Sequence, residues 1–434
     1  MEPLRVCMLS VHTCPLATLG GKETGGMNVY VRDLSRELGR RGYQVDVFTR
    51  LQNPDRPRVT DRLGYGARVI HVKAGPPAPY NKYALYDHLD EFIAGVDAFA
   101  RQEGIRYDII HSHYWLSGKV AVCLRERWGV PFIQMFHTLG HMKNSVAQRP
   151  EEYEPERRLI VETELMREAD ALVAATPLEK AQMTWLYGAD PARIHVIPCG
   201  VDTEQFYPQP RQWAKSCLGL SQHQRMILFV GRIEPLKGID TLLRAVAVLI
   251  QRRPEWAEEL VVTIVGGDPD QPPEKMDAEM ARLHALRAEL GIANVVTFRG
   301  AQAQDILPCY YSAAEVVVVP SHYESFGMVA LEAMACGTPV IASKVGGMAF
   351  TVQDGVTGFH IPYRDHQALA DRLEQILLDP ELQARLGRQA AEWARQYSWS
   401  RIADQITALY AEVRREALPA RRRTASSRGL ACSS

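Results

Sequence analysis

Apolar and polar positions alternate between two rhythms along this chain. Short apolar runs at residues 4–11, 45–49, 107–113, 132–137 and 171–175 read as buried strands. Between the first two, residues 25–41 carry Val29, Val31, Leu34 and Leu38 as an apolar stripe that stops at Gly42, which predicts a helix. A second series opens with a strand at 225–231 and continues with a helix at 239–251, a strand at 260–265, a helix near 274–290 and a strand at 295–298. Residues 315–320 (Glu-Val-Val-Val-Val-Pro) form another buried strand, followed by a polar loop, a helix from about Ser325 that stops at Gly337, and a strand after Pro339. Alternation of this kind argues for parallel sheets with helices on both faces.

Pro and Gly concentrate at 197–210, which reads as a linker, and 398–410 has the pattern of an amphipathic helix. The expected organisation is a first domain at 1–195, a second at 196–395, a helix at 396–418, and a basic, small-residue tail at 419–434 that is expected to be disordered. No internal repeat is visible beyond the similarity of the two halves.

Composition narrows the function classes. With 46% apolar and 23% charged residues the chain is an ordinary globular protein, and its net charge of −1 gives no reason to expect nucleic acid as a partner. Residues 1–11 enter a strand directly, without a basic region, a long apolar core or a cleavage site, so no targeting segment is expected. No apolar stretch is long enough to span a bilayer, and the cytoplasm is the expected compartment. The 8 cysteines are scattered with no C-x-x-C pair, which indicates neither a zinc site nor a disulfide framework.

Candidate chemistry centres on Ser321-His-Tyr-Glu-Ser-Phe-Gly-Met-Val-Ala-Leu-Glu332. The helix is apolar nearly all round (Met328, Val329, Leu331, Met334), yet Glu332 stands in its middle with no Lys or Arg within a turn. A buried, unpaired carboxylate costs several kcal/mol unless something satisfies it, and a ligand hydroxyl would serve. Glu324 precedes the helix, beside backbone N–H groups that favour anions. Gly231-Arg-Ile-Glu-Pro-Leu-Lys-Gly238 leaves a strand and enters a helix, so Arg232 and Lys237 can reach a diphosphate and Gly238 allows close backbone approach. Gly25 and Gly26 sit between the first strand and its helix, where their N–H groups can meet a phosphate. The spacing there is not G-x-G-x-x-G, which argues against a dehydrogenase. Asp268-Pro-Asp270 lies in a Pro-rich loop and reads as a turn. His111, His113, His137 and His141 lack the carboxylate or cysteine companions of a zinc site, so no metal is expected.

Glu324 and Glu332 in ESFGMVALEAMACGTPVI, with the Gly-Arg…Lys-Gly motif upstream, resemble the signature of the retaining glycosyltransferases of family 4. That family includes sucrose, sucrose-phosphate and glycogen synthases. The resemblance implies two doubly wound Rossmann-like domains facing a central cleft (the GT-B fold), with a C-terminal helix crossing back to the first domain. It also implies a metal-independent hexosyltransferase using a UDP-sugar, UDP-glucose foremost. Glu332 would hold the nucleotide ribose, the N–H groups of Phe326, Gly327 and Met328 would approach the donor, and Glu324, with Arg232 and Lys237, would act at the reacting sugar and diphosphate. His137, in Phe136-His-Thr-Leu-Gly140, matches the family's active-site histidine.

The first half, with GGMNVYVRDL, HSHYWLSG and FHTLG, resembles enzymes that glycosylate inositol phosphate. The matching phosphate-holding positions are Lys82, Tyr114, Thr138 and Arg158, with Asn28 also available to the acceptor. A phosphorylated sugar or polyol is therefore the expected acceptor, with a sucrose-phosphate synthase-like or an inositol-phosphate glycosyltransferase-like activity. The alternatives are an unphosphorylated sugar, a lipid acceptor on a peripheral membrane enzyme, or a catalytically silent sugar-nucleotide binder. Small-molecule substrates are the expected partners, in a monomer or a homodimer.

Overall fold

The computed structural model describes residues 3–18, 24–272 and 276–429. By internal contacts the chain forms two compact units, one of residues 1–17, 27–198 and 399–434, the other of 18–26 and 199–398.

The first unit is built on a sheet of eight strands: β1 (Arg5–Leu9), β2 (Gln44–Arg50), β3 (Val59–Gly64), β4 (Ala67–Val72), β5 (Ile109–His113), β6 (Phe132–Met135), β7 (Ala171–Ala174) and β8 (Ile194–Val196). Their spatial order is β3-β4-β2-β1-β5-β6-β7-β8. All pairs are parallel except the β3–β4 hairpin. The central strands are buried along nearly their whole length, β5 even through His111, Ser112 and His113 and β6 through Gln134. The hairpin was not among the strands expected from the pattern, because Val59-Thr-Asp-Arg-Leu-Gly64 is polar and half exposed, as edge strands are.

The second unit carries a sheet of six parallel strands, β9 (Arg225–Val230), β10 (Leu260–Val265), β11 (Val296–Phe298), β12 (Val316–Val319), β13 (Val340–Ser343) and β14 (Gly358–Ile361). Their order is β11-β10-β9-β12-β13-β14. Chain direction across the sheet reverses between β9 and β12, and in the first unit between β1 and β5. Ligands of doubly wound sheets bind outside the strand ends at such switch points. The loops that leave β9 and β12 are those of Gly231–Gly238 and 320–327.

The final helix, Trp399–Gly429, groups with the first unit. Trp399 meets the Tyr30 ring edge-on at 5.3 Å, and Arg41 donates to Asp404 at 2.6 Å. Further along, the Tyr410 hydroxyl lies 2.8 Å from His111 Nδ1, and Arg414 donates to Asp108 at 2.8 Å. The helix also runs on through residues 419–429, where an irregular tail was expected. Alanine and arginine, abundant there, are among the strongest helix formers, which corrects a reading made on charge and small-residue content alone. Residues 430–434 lie outside the described residues. No helix among the described residues is long and apolar enough to cross a membrane.

Candidate active site

In the second unit, two loops are pressed together by glycine. Gly238 adopts φ 64°, and a Cβ there would stand 2.1 Å from the Pro320 carbonyl oxygen, so the loop after β9 can lie against the end of β12 only without a side chain. The His322 N–H donates to the Leu236 carbonyl at 2.8 Å across the same junction. This contact delivers Lys237 to Glu324, Nζ to Oε2 at 2.5 Å. Arg232 remains partly exposed, with Nη1 donating to Glu234 at 2.7 Å.

The helix expected from Ser325 begins at Met328 instead. Gly327, at φ 90°, is left-handed and cannot belong to the helix, so residues 324–327 form an open loop. The Ala330 and Leu331 N–H groups both donate to the Gly327 carbonyl, at 3.0 and 3.2 Å, which leaves the amides at the very start of the helix to point out of it. A Gly346-Gly347 pair, not singled out in the sequence, seats this loop. Gly347 N–H donates to the Glu324 carbonyl at 2.8 Å, and a Cβ at position 346 would stand 2.0 Å from that same oxygen.

Glu332 is buried in mid-helix, as expected, but it does not wait on a ligand alone: the Tyr311 hydroxyl donates to its Oε2 at 2.8 Å. The partner is 21 positions away, which hid it from local pattern reading. Gly25 and Gly26 group by contacts with this unit; a Cβ on Gly25 would lie 3.6 Å from Arg232 Nε, and one on Gly26 3.3 Å from Met328 Sδ.

In the first unit, the residues that follow β5 and β6 are strained. Tyr114 has φ 75° and His137 φ 61°, a region that non-glycine residues rarely occupy and that clusters at functional sites. His137 Nε2 lies 3.0 Å from His113 Nδ1, and the His113 and His111 rings are 4.4 Å apart. Burial pushes His111 and His137 down to about 3 and His113 well below its ordinary value. All three imidazoles are therefore neutral at physiological pH. His141 packs on Tyr187, centroids 4.8 Å apart, rather than joining them. Asn28 Nδ2 donates to Thr13 Oγ1 at 2.6 Å and to the Cys14 carbonyl at 2.7 Å, which fixes its amide beside the loop after β1.

Three of the four expected phosphate ligands are bonded to one another. Arg158 is wholly buried; its Nη1 donates to the Tyr114 hydroxyl at 3.1 Å, and its Nη2 to Thr138 Oγ1 at 3.1 Å and to the Thr138 carbonyl at 2.7 Å. Lys82 is not bonded into this set; its ammonium lies 5.2 Å from the centroid of the Tyr83 ring, whose hydroxyl donates to Glu154 at 2.8 Å.

Sequence reasoning missed what surrounds this cluster. Arg158 is held by two carboxylates, Glu154 at 2.9 Å and Glu162 at 2.7 Å, both of them buried. Glu154 also accepts from Tyr83 at 2.8 Å and from Lys143, and Glu162 accepts from Tyr187 at 2.6 Å and from Gly140 N–H at 2.9 Å. Burial alone would raise the Glu154 carboxyl, but Arg158 and Lys143 outweigh it and hold it at about 2. The only signal available was the helical spacing of Glu154, Arg158 and Glu162, which marks one face of Glu156–Glu168 and the residues just before it.

Two family models match this chain: glycosyltransferase family 4 over residues 24–205 and glycosyl transferases group 1 over residues 214–393. D-inositol 3-phosphate glycosyltransferase from Actinosynnema mirum is 44% identical over 94% of this chain and 97% of its own length. The protein of the same name from Saccharomonospora viridis is 44% identical over 98% and 96%. Among solved structures, sucrose-phosphate synthase from Thermosynechococcus elongatus superimposes with a TM-score of 0.86 at 37% identity, covering 94% of this chain and 99% of that one. The Anabaena protein HepE, solved in complex with UDP and glucose, shares the fold, with a TM-score of 0.73 at 22% identity over 94% of this chain and 100% of that one.

Proposed function

The chain belongs to glycosyltransferase family 4, and from that premise we propose that it transfers a hexose, glucose first among candidates, from a UDP-sugar to a phosphorylated polyol or sugar with retention at the anomeric carbon. Breaking the anomeric C–O bond leaves negative charge on the diphosphate and oxocarbenium character on the sugar. Lys237 and Arg232 supply fixed cations for the leaving group, as electrostatic catalysis requires. Gly25 and Gly26 and the N–H groups of Phe326, Gly327 and Met328 complete the donor contacts, and Glu332 takes the ribose with its remaining acceptor capacity. Glu324, 2.5 Å from the Lys237 ammonium, faces the developing positive charge. His137, neutral, offers an uncharged ring nitrogen to the sugar or acceptor. The reading includes no resident metal, and it keeps the cytoplasm as the compartment.

The observation that carries the acceptor assignment is the bonded set of Arg158, Tyr114 and Thr138. These donors suit a phosphomonoester through charge-assisted hydrogen bonds, and Asn28 is placed to bind an acceptor hydroxyl. The names of the relatives support the same class: D-inositol 3-phosphate glycosyltransferase at 44% identity and sucrose-phosphate synthase at 37%. Inositol 3-phosphate is therefore the first acceptor to try and fructose 6-phosphate the second. UDP release with UDP-glucose or UDP-N-acetylglucosamine, measured against inositol 3-phosphate, fructose 6-phosphate and free fructose, tests the proposal. Turnover confined to a phosphorylated acceptor is expected; equal turnover with free fructose would overturn the phosphate-binding role.

A further inference from the structure

Two cavities on the first unit, outside the residues discussed so far, differ in one respect. The larger, about 510 Å³, is lined by Arg5 and Arg68 but also by Asp46, Asp61 and Glu103, with Arg68 in a two-pronged ion pair to Asp46 at 2.8 and 2.9 Å. Its charges cancel. The smaller, about 370 Å³, is lined by Arg56, Arg58, His71 and Lys73 over a floor that includes Ile70, Val72, Ala98 and Phe99, and no carboxylate lines it.

Arg58 of this second cavity is positioned by neutral partners. Arg58 Nη2 donates to the Gln102 side-chain oxygen at 3.0 Å, and its guanidinium lies 5.5 Å from the centroid of the Phe99 ring. The segment carrying Arg56 and Arg58 is clipped to β4 at His71. The His71 N–H donates to the Arg58 carbonyl at 2.8 Å, and its Nδ1 lies 2.8 Å from the Pro57 carbonyl. A carbonyl only accepts, so Nδ1 carries the proton and Nε2 is free to face Cys14 Sγ, 3.8 Å away. Glu91 acts on Lys73 at longer range while accepting from Gly75 N–H at 3.0 Å and from His88 at 2.9 Å, and Asp55 is the chain neighbour of Arg56. Arg58, held by an amide and an arene, lines this cavity with Arg56 and Lys73 and without a lining carboxylate, and such a cavity favours an anion.

We propose that this cavity is a second anion site, which takes inorganic phosphate or a small phosphate monoester. Arg56, Arg58 and Lys73 bind the phosphate oxygens, and the apolar floor accommodates what the phosphate carries. The site shares no lining residue with the Tyr114–Thr138–Arg158 cluster. It is joined to acceptor residue Asn28 through His71 and Cys14, whose carbonyl holds the Asn28 amide.

Inorganic phosphate, titrated calorimetrically into the full chain with no nucleotide sugar present, is the probe. Three proteins are compared: the wild type, an Arg58→Gln/Lys73→Gln variant, and a Lys82→Gln/Thr138→Val variant of the acceptor cluster. The rim variant keeps turnover and loses one binding event, its phosphate affinity falling about ten- to a hundredfold at that site. The cluster variant retains that event. The His71 ring resonance reports independently: phosphate shifts it in the wild type and in the cluster variant but not in the rim variant. Unchanged binding in a folded rim variant, or a His71 signal indifferent to phosphate in the wild type, overturns the proposal.

Discussion

His113 Nδ1 and His137 Nε2 share a single hydrogen across 3.0 Å, with the His113 ring fully buried and His137 half-buried. One ring must donate and the other accept, so the bond tolerates one imidazolium as donor and is lost once both rings are doubly protonated. An unfolded chain protonates these imidazoles as pH falls below about 6.5. The folded chain resists until about 3 at His111 and His137. Between those limits the unfolded form binds more protons. Stability is therefore at its full value above about pH 6.5 and declines as pH falls, by about 1.4 kcal/mol per pH unit for each buried histidine. Urea midpoints at pH 5 should lie well below those at pH 7.5, and His111→Gln should flatten the slope by one proton's share. A slope unchanged in that variant would refute the assignment.

His137 has a kinetic counterpart. Because it is neutral from about pH 4 upward, kcat/KM should show no inflection from it between pH 5 and 8. The profile of His137→Asn, at lower activity, should then run parallel to the wild type over that range.

Glu162 meets a fully buried guanidinium at Arg158, and its removal leaves that charge with Glu154 as its one remaining carboxylate. Glu162→Ala should cost roughly 3–5 kcal/mol in urea unfolding, as loss of one member of a buried ion pair does. A cost near zero would mean that the carboxylate is not structural.

Thr138 contributes to the cluster through its hydroxyl and its backbone carbonyl separately. Thr138→Val removes only the hydroxyl. The expected result is a loss of about tenfold in kcat/KM for the phosphorylated acceptor, carried by KM, with the KM for the nucleotide sugar unchanged.

Lys237 and Gly238 separate chemistry from architecture in one loop. Lys237→Ala should lower kcat by roughly a hundred- to a thousandfold at unchanged melting temperature, the usual effect of losing a charge aimed at a leaving group. Gly238→Ala forces a left-handed alanine against the Pro320 carbonyl and should cost about 1–3 kcal/mol of stability as well as activity.

Local patterning made the sheets legible. The strand read at residues 260–265 is β10, residue for residue, and the one at 225–231 overruns β9 by a single position, because fully buried parallel strands are unbroken apolar runs. It failed where the deciding contact was distant. Gly327 delays the start of the helix to Met328, three residues after Ser325, because of a φ angle that no neighbour announces, and Glu332 finds its partner in Tyr311 on another helix. The four expected phosphate ligands came from motif resemblance, but the two carboxylates that hold Arg158 did not. Their function depends on Tyr83, Lys143 and Tyr187, and only tertiary structure assembles these.

The grouping of Trp399–Gly429 with the first unit sets a schedule for biosynthesis. Residues 27–198 leave the ribosome first, yet the hydroxyl that meets buried His111 belongs to Tyr410 and must await translation of all of 199–398. At ordinary elongation rates that interval is about 10–40 seconds. Throughout it the nascent first unit exposes the face that Trp399 and Tyr410 later cover, so a stalled or truncated chain would be a natural client for chaperones even with its sheet complete.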